Sequence, residues 1–206
     1  MLAIVNSCAV FGMDAFAVKV EVDVSNGMPG FDIVGLPDAA VRESRERVKT
    51  AIKNSGYDFP LKRITVNLAP ADLKKEGATF DVPIAVGILS ATGQLAENNL
   101  LENAMFVGEL SLDGTMQGVK GVLPMAATMS EFGCETFVVP VSNAGEAALP
   151  GSGSVYGIES ICSLVKWWNG QIKQDAIKVN IEEIFAYDNS EHKIDMSDVK
   201  GQEAVK

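Results

Sequence analysis

The chain has 206 residues, 47% apolar and 21% charged, a composition that suits one globular domain plus a tail and needs no covalent staple for its core. The net charge of −10 argues against general affinity for nucleic acid. Three scattered cysteines, no CxxC pair and a single histidine, His192, argue against a zinc site or a disulfide framework.

Free thiols fit a reducing compartment, so the chain is expected in the cytoplasm. The apolar start lacks a basic n-region, and Lys19 and Glu21 follow soon after, so neither a signal peptide nor a membrane span is expected. Residues 1–11 read as β-structure. In 15–24 Val18, Val20, Val22 and Val24 alternate with Lys19, Glu21 and Asp23, the pattern of a half-buried strand. Turn signals at 26–30 precede a short strand at 31–36. Pro37 is expected to open a helix that runs to about Ser55, with Gly56 as its stop. Val41, Val48 and Ile52 share its buried face, and Arg42, Arg45, Lys49 and Lys53 form a basic stripe on another.

Further along, 63–70 is a strand ended by proline, 80–93 an apolar helix rich in small residues, and 106–112 a strand with a turn at Asp113-Gly114. A helix at 122–132, a strand at 136–140, a short helix at 143–149, a strand at 154–158 and a helix at 160–168 complete the pattern. The elements describe a mixed α/β fold in which a mixed sheet packs against helices. Residues 171–194 carry few apolar clusters and read as a linker, with a short ordered piece around Ile181 to Tyr187.

Charge is distributed unevenly. Residues 40–75 hold nine of the 17 basic residues against Glu43, Glu46, Asp58 and Asp72, a local balance of +5. Arg42, Arg45, Lys49, Lys53, Arg63, Lys74 and Lys75 are therefore the candidates for contact with DNA or another partner, since such side chains grip phosphates without reading sequence. Arg47 and Lys62 lie nearby in sequence. Glu46 sits within helical reach of Arg42 and Lys49, so the stripe reads first as a plain solvated face, partly paired internally.

Little else carries chemistry. GxxxxGK[ST] and GxGxxG are both absent, and the Gly151–Ser154 turn lacks the strand-to-helix context of a phosphate loop. His192 lies in the polar tail, which leaves a Ser-His-Asp triad without a base. A hydroxyl nucleophile would have to use lysine. No residues suggest a metal centre; Glu182-Glu183 read as solvated.

The stretches LAPADLKKEGATFDVPIAVGILSATGQL (68–95), FVGELSLDGTMQGVKGVLPMAATMSEFG (106–133) and FVVPVSNAGEAAL (137–149) resemble the Lon protease domain in order and spacing. They are closer to the Lon-like domain of the ComM/YifB group of magnesium-chelatase-related AAA+ ATPases, and GLPDAAVRESRERVKTAIKNSGYDFPLKRITVNLAPADLKKEG (35–77) resembles that group's own signature. The likeness covers residues 1–170. DMSDVKGQEAVK (195–206) resembles the entry to a AAA+ module, so a Walker motif is expected beyond it.

The resemblance implies a Lon-protease-like fold and, for the whole protein, a ring-forming motor that uses ATP and magnesium. It implies a hexamer linked to DNA processing, including branch migration during natural transformation. It also implies loss of the peptidase dyad. Where Lon-type peptidases place an acidic-Gly-Pro-Ser-Ala-Gly run, this chain has Glu76-Gly77-Ala78-Thr79-Phe80-Asp81. Thr79 takes the serine's place, and Asp81 takes that of the glycine. The position of the lysine, counted from Gly108-Glu109, falls on Met125, whose thioether takes no proton at neutral pH; Lys120 is five residues too early. The expectation is an accessory domain that is not an enzyme and holds no cofactor, helping ring assembly and DNA processing. A divergent peptidase using Thr79, a pure protein-interaction scaffold and a chelatase subunit are the rivals.

Overall fold

The computed structural model describes residues 1–96 and 100–180. Seven strands form one mixed sheet: β1 (Leu2–Phe11), β2 (Asp14–Ser25), β3 (Gly30–Val34), β4 (Arg63–Ala69), β5 (Ala104–Phe106), β8 (Thr136–Pro140) and β9 (Ser154–Ile158). Their order is β3-β4-β2-β1-β5-β8-β9. The β2 strand runs antiparallel to β1 and β4, and the other four pairings are parallel. Glu109–Leu110 (β6) and Met116–Gln117 (β7) form a separate antiparallel pair. The strand expected at 106–112 is thus two pieces, broken at Gly108.

Alternation in β2 buries Val18, Val20, Val22 and Val24 and leaves Lys19 exposed. Successive residues of β5 and β8 go to opposite faces, as strand geometry requires. Ala104, Phe106 and Val138 join a core layer beneath α1 (Ala39–Asn54), α2 (Asp81–Ala91) and α6 (Ile161–Trp168). Met105, Phe137 and Val139 join a second layer with α4 (Val122–Thr128) and α5 (Val141–Ala148). The 122–132 helix is α4 followed by a 3-10 turn at Met129–Phe132, and a short helix, α3 (Leu100–Asn103), had no sequence signal.

Almost every residue of α2 is buried, so it has no polar face to show a helical period. It lies so close to β2 that a Cβ on Gly87 would come within 2.4 Å of Val22 Cγ2. The start of α1 differs from expectation. Pro37 bridges to Lys75 in extended backbone, and Asp38 is the N-cap, accepting from Val41 N–H at 2.8 Å. The same carboxylate accepts from Gly77 N–H at 3.2 Å, which ties α1 to the loop before α2.

Past α6 the chain stays on the domain. Ile177 N–H donates to Val155 O at 2.8 Å and Gln174 Nε2 to Gly157 O at 3.0 Å, so the first part of the expected linker packs along β9. The rest of that linker and the AAA+-like segment 195–206 lie outside the described residues. Among the described residues no helix is long and apolar enough to cross a membrane.

Candidate functional site

Two places answer to the sequence reading: the loop where a Lon-type dyad would stand, and the basic face of α1. In the first, Gly108 brings the two motif segments together. Its N–H donates to Thr79 O at 3.0 Å and its carbonyl accepts from Val82 N–H at 3.1 Å. Its φ is 153°, and a Cβ there would lie 2.8 Å from Val82 Cγ2 and 3.2 Å from Pro140 Cγ, so only glycine permits this approach.

Thr79 is half-buried beside Asp81, whose carboxylate is fully buried. That carboxylate has no capacity left to activate a neighbour. It accepts from Ser44 Oγ, from Arg47 Nε at 2.7 Å and Nη2 at 3.1 Å, and from Leu110 N–H at 3.2 Å. Arg47 also donates to Ala40 O at 3.1 Å, and its guanidinium pKa is raised, first by the hydrogen bond to Asp81. The cluster joins α1, α2 and β6 and fills the region with a neutralised ion pair. Arg47, grouped with the surface cations by sequence, belongs to this interior.

Met125 is 2% exposed, in the core layer with Cys8, Met105 and Phe137. Lys120 is exposed. Neither Thr79 nor Met125 supplies a base, and the carboxylate nearest Thr79 in sequence is held by three partners. Ser44 was not singled out from sequence, but a signal existed: it falls on the apolar stripe of α1 between Val41 and Val48, where a hydroxyl demands a buried partner.

On the second surface the candidates divide. Arg42, Arg45 and Lys53 are exposed and Lys49 half-exposed along one face of α1. Arg45 bends over its own helix, donating to Arg42 O at 3.0 Å and reaching Phe31 O at 3.4 Å. Arg63 pairs with Asp32 at 3.5 Å, and Lys74 with Glu76 at 2.7 Å, both pairs open to solvent. Lys75 lies elsewhere: it is fully buried, donating to Pro70 O, with its backbone bonded to Leu36 and Asp38. Burial lowers its pKa, against the attraction of Asp72. A covered ammonium cannot reach a phosphate, so Lys75 takes no part in the contact surface.

Between α1 and β3 runs a groove of about 320 Å³. Arg45, Glu46, Lys49 and Lys53 form one side, Pro29 to Phe31 the other, and 59–62 the end. The rings of Phe31 and Phe59 meet at 5.9 Å and 41°. Lys62, close to the stripe only in sequence terms before, stands at its rim. Among the described residues no cluster of three metal-ligating side chains occurs, and all three cysteines are free.

Residues 20–143 match the family described as subunit ChlI of Mg-chelatase. The competence protein ComM of Haemophilus influenzae is 42% identical over 207 residues, covering 100% of this chain and 40% of that protein. YifB of Salmonella typhimurium is 49% identical over 148 residues, covering 72% and 29%. Lon protease 2 of Bacillus subtilis is more distant, 24% identical over 159 residues, with 69% and 28% covered. The chain thus spans two fifths or less of the length of these curated relatives.

Proposed function

The chain belongs to the family of the magnesium-chelatase subunit ChlI, and with that premise we propose that it is a Lon-like accessory domain without peptidase activity, serving a ring-forming AAA+ ATPase that processes DNA. In this reading ATP and magnesium act in a module outside residues 1–180, and the whole protein works in the cytoplasm as a hexamer. The domain helps hold the ring together and offers the basic face of α1 to DNA phosphates, as during branch migration in natural transformation.

The observation that supports a non-catalytic role is the interior of the dyad region. A hydroxyl attacks only when a base takes its proton. Here Asp81 is locked by Ser44, Arg47 and Leu110, and Met125 is buried. The test is incubation with a fluorescent casein and with a fluorophosphonate. No turnover and no label at Thr79 are expected; a label that disappears in Thr79→Ala would establish the peptidase reading instead.

The DNA half of the reading rests on the exposed stripe and is tested separately. Filter binding at two salt concentrations should show salt-sensitive retention of DNA. Retention should be lost when Arg42, Arg45, Lys49 and Lys53 become glutamate. Absence of binding at low salt would leave a protein-interaction scaffold.

A further inference from the structure

We propose that the groove between α1 and β3 takes a single strand of nucleic acid, with phosphates along the helix and a base against Phe31. The inference rests on the reading of the basic stripe as a phosphate-contacting face and goes beyond it by naming the form of the polymer and the groups that select it.

Charge comes first. Four cations, Arg45, Lys49, Lys53 and Lys62, line the groove against one carboxylate, Glu46. On a chain of net charge −10 this is where a polyanion meets attraction. Spacing comes second. Arg45, Lys49 and Lys53 recur every four residues, so the helix rise sets their attachment points about 6 Å apart along one line. That is close to the repeat of consecutive phosphates on one extended strand.

The third observation separates a strand from a duplex. A purely electrostatic patch needs no apolar wall, yet this groove has one. Phe31 and Phe59 are half-buried in contact with each other, and Leu61 at the lip is 82% exposed. A duplex turns its bases inward and would meet only the rim. A groove of about 320 Å³ has the size of a small-ligand cleft, which admits an unstacked base but not a double helix. Cations that track a backbone beside aromatic rings are the combination that binds single strands without sequence preference.

The experiment is fluorescence anisotropy of the 206-residue chain with labelled oligothymidylate and with a duplex of equal length, at low and physiological salt. Oligothymidylate is expected to bind more tightly than duplex. Lys49→Met with Lys53→Met should lower the slope of log affinity against log salt by about 1.4, from about 0.7 for each phosphate contact. Phe31→Leu should weaken oligothymidylate about ten-fold and leave duplex unchanged. Phe31→Trp should keep the affinity and add tryptophan quenching with oligothymidylate alone, a readout that does not depend on tolerance of the leucine variant.

Duplex bound as tightly as single strand, with no effect of Phe31→Leu and no quenching in Phe31→Trp, would overturn the proposal while leaving the phosphate-contact reading standing. Absence of any salt-sensitive binding would overturn both. Displacement of the oligonucleotide by polyglutamate at equal charge would also overturn it, by making the groove a site for acidic protein segments.

Discussion

At Asp81 a full charge sits out of water, and its neighbours make that tolerable: a guanidinium, a hydroxyl and a backbone N–H meet its two oxygens. Removing one member of such a set leaves the other charge unpaired, which costs more than the pair contributes. Asp81→Ala is therefore expected to lower unfolding free energy by about 3 kcal/mol in urea titrations. Met125 makes the complementary case. Met125→Lys would install the residue type that a dyad needs, but in a layer of Cys8, Met105 and Phe137. The expected outcome is lost stability and no gain of casein hydrolysis, because burial favours the uncharged amine at the expense of the fold. The thiols follow the same rule. Burial pushes Cys8 up to about 12 and raises Cys134, so both stay protonated at neutral pH. For a raised thiol the folded state holds its proton while the unfolded chain releases it, so this contribution to stability is full below about pH 9 and falls as pH rises above it. Iodoacetamide mapping at pH 8 should modify half-exposed Cys162 first and reach Cys8 only after denaturation.

The elements show how little room the site leaves for change. Helix α2 presses on β2 where Gly87 faces Val22, and the added methyl of Gly87→Ala would overlap Val22 Cγ2. Overpacking there should cost about 1–3 kcal/mol, visible as a lowered urea midpoint, despite alanine's better helix propensity. Asp38 joins two elements with one carboxylate, capping α1 and holding Gly77. Asp38→Ala should cost about 1–2 kcal/mol and speed hydrogen exchange at Val41 and Gly77 together. The basic stripe was legible from spacing because a helix repeats at 3.6 residues, and α1 is regular. The assignment of Pro37 as the first helical residue went astray because sequence shows a proline's tolerance for that position but not the bridge to Lys75 that holds it extended.

At the scale of the whole molecule, one sheet separates two core layers, and its two edges differ. Residues Gln174 and Ile177 cover β9, whereas β3 is the other end of the sheet and borders the groove. Backbone carbonyls of β9 are met by chain that follows α6, whereas on β3 the Phe31 carbonyl is met by the Arg45 side chain from the basic helix. Ile177→Pro removes the N–H that bonds Val155 O, and limited trypsin digestion should then cut at Lys173 and Lys178 faster than in the unaltered chain.

The sequence by itself determined the class of fold, most strands and helices, the family likeness and the thioether at Met125. Each rests on local periodicity or on residue identity, which a linear reading preserves. Only tertiary structure decided which cations face solvent. Lys74 and Lys75 are neighbours of the same charge, yet one pairs with Glu76 in water and the other lies buried against Pro70 O. It also decided that Ser44, Arg47 and Asp81 form one cluster, and that Phe31 and Phe59 meet beside the basic helix. Those groups are brought together by sheet order and helix packing, so their distances depend on long-range contacts that no local pattern encodes.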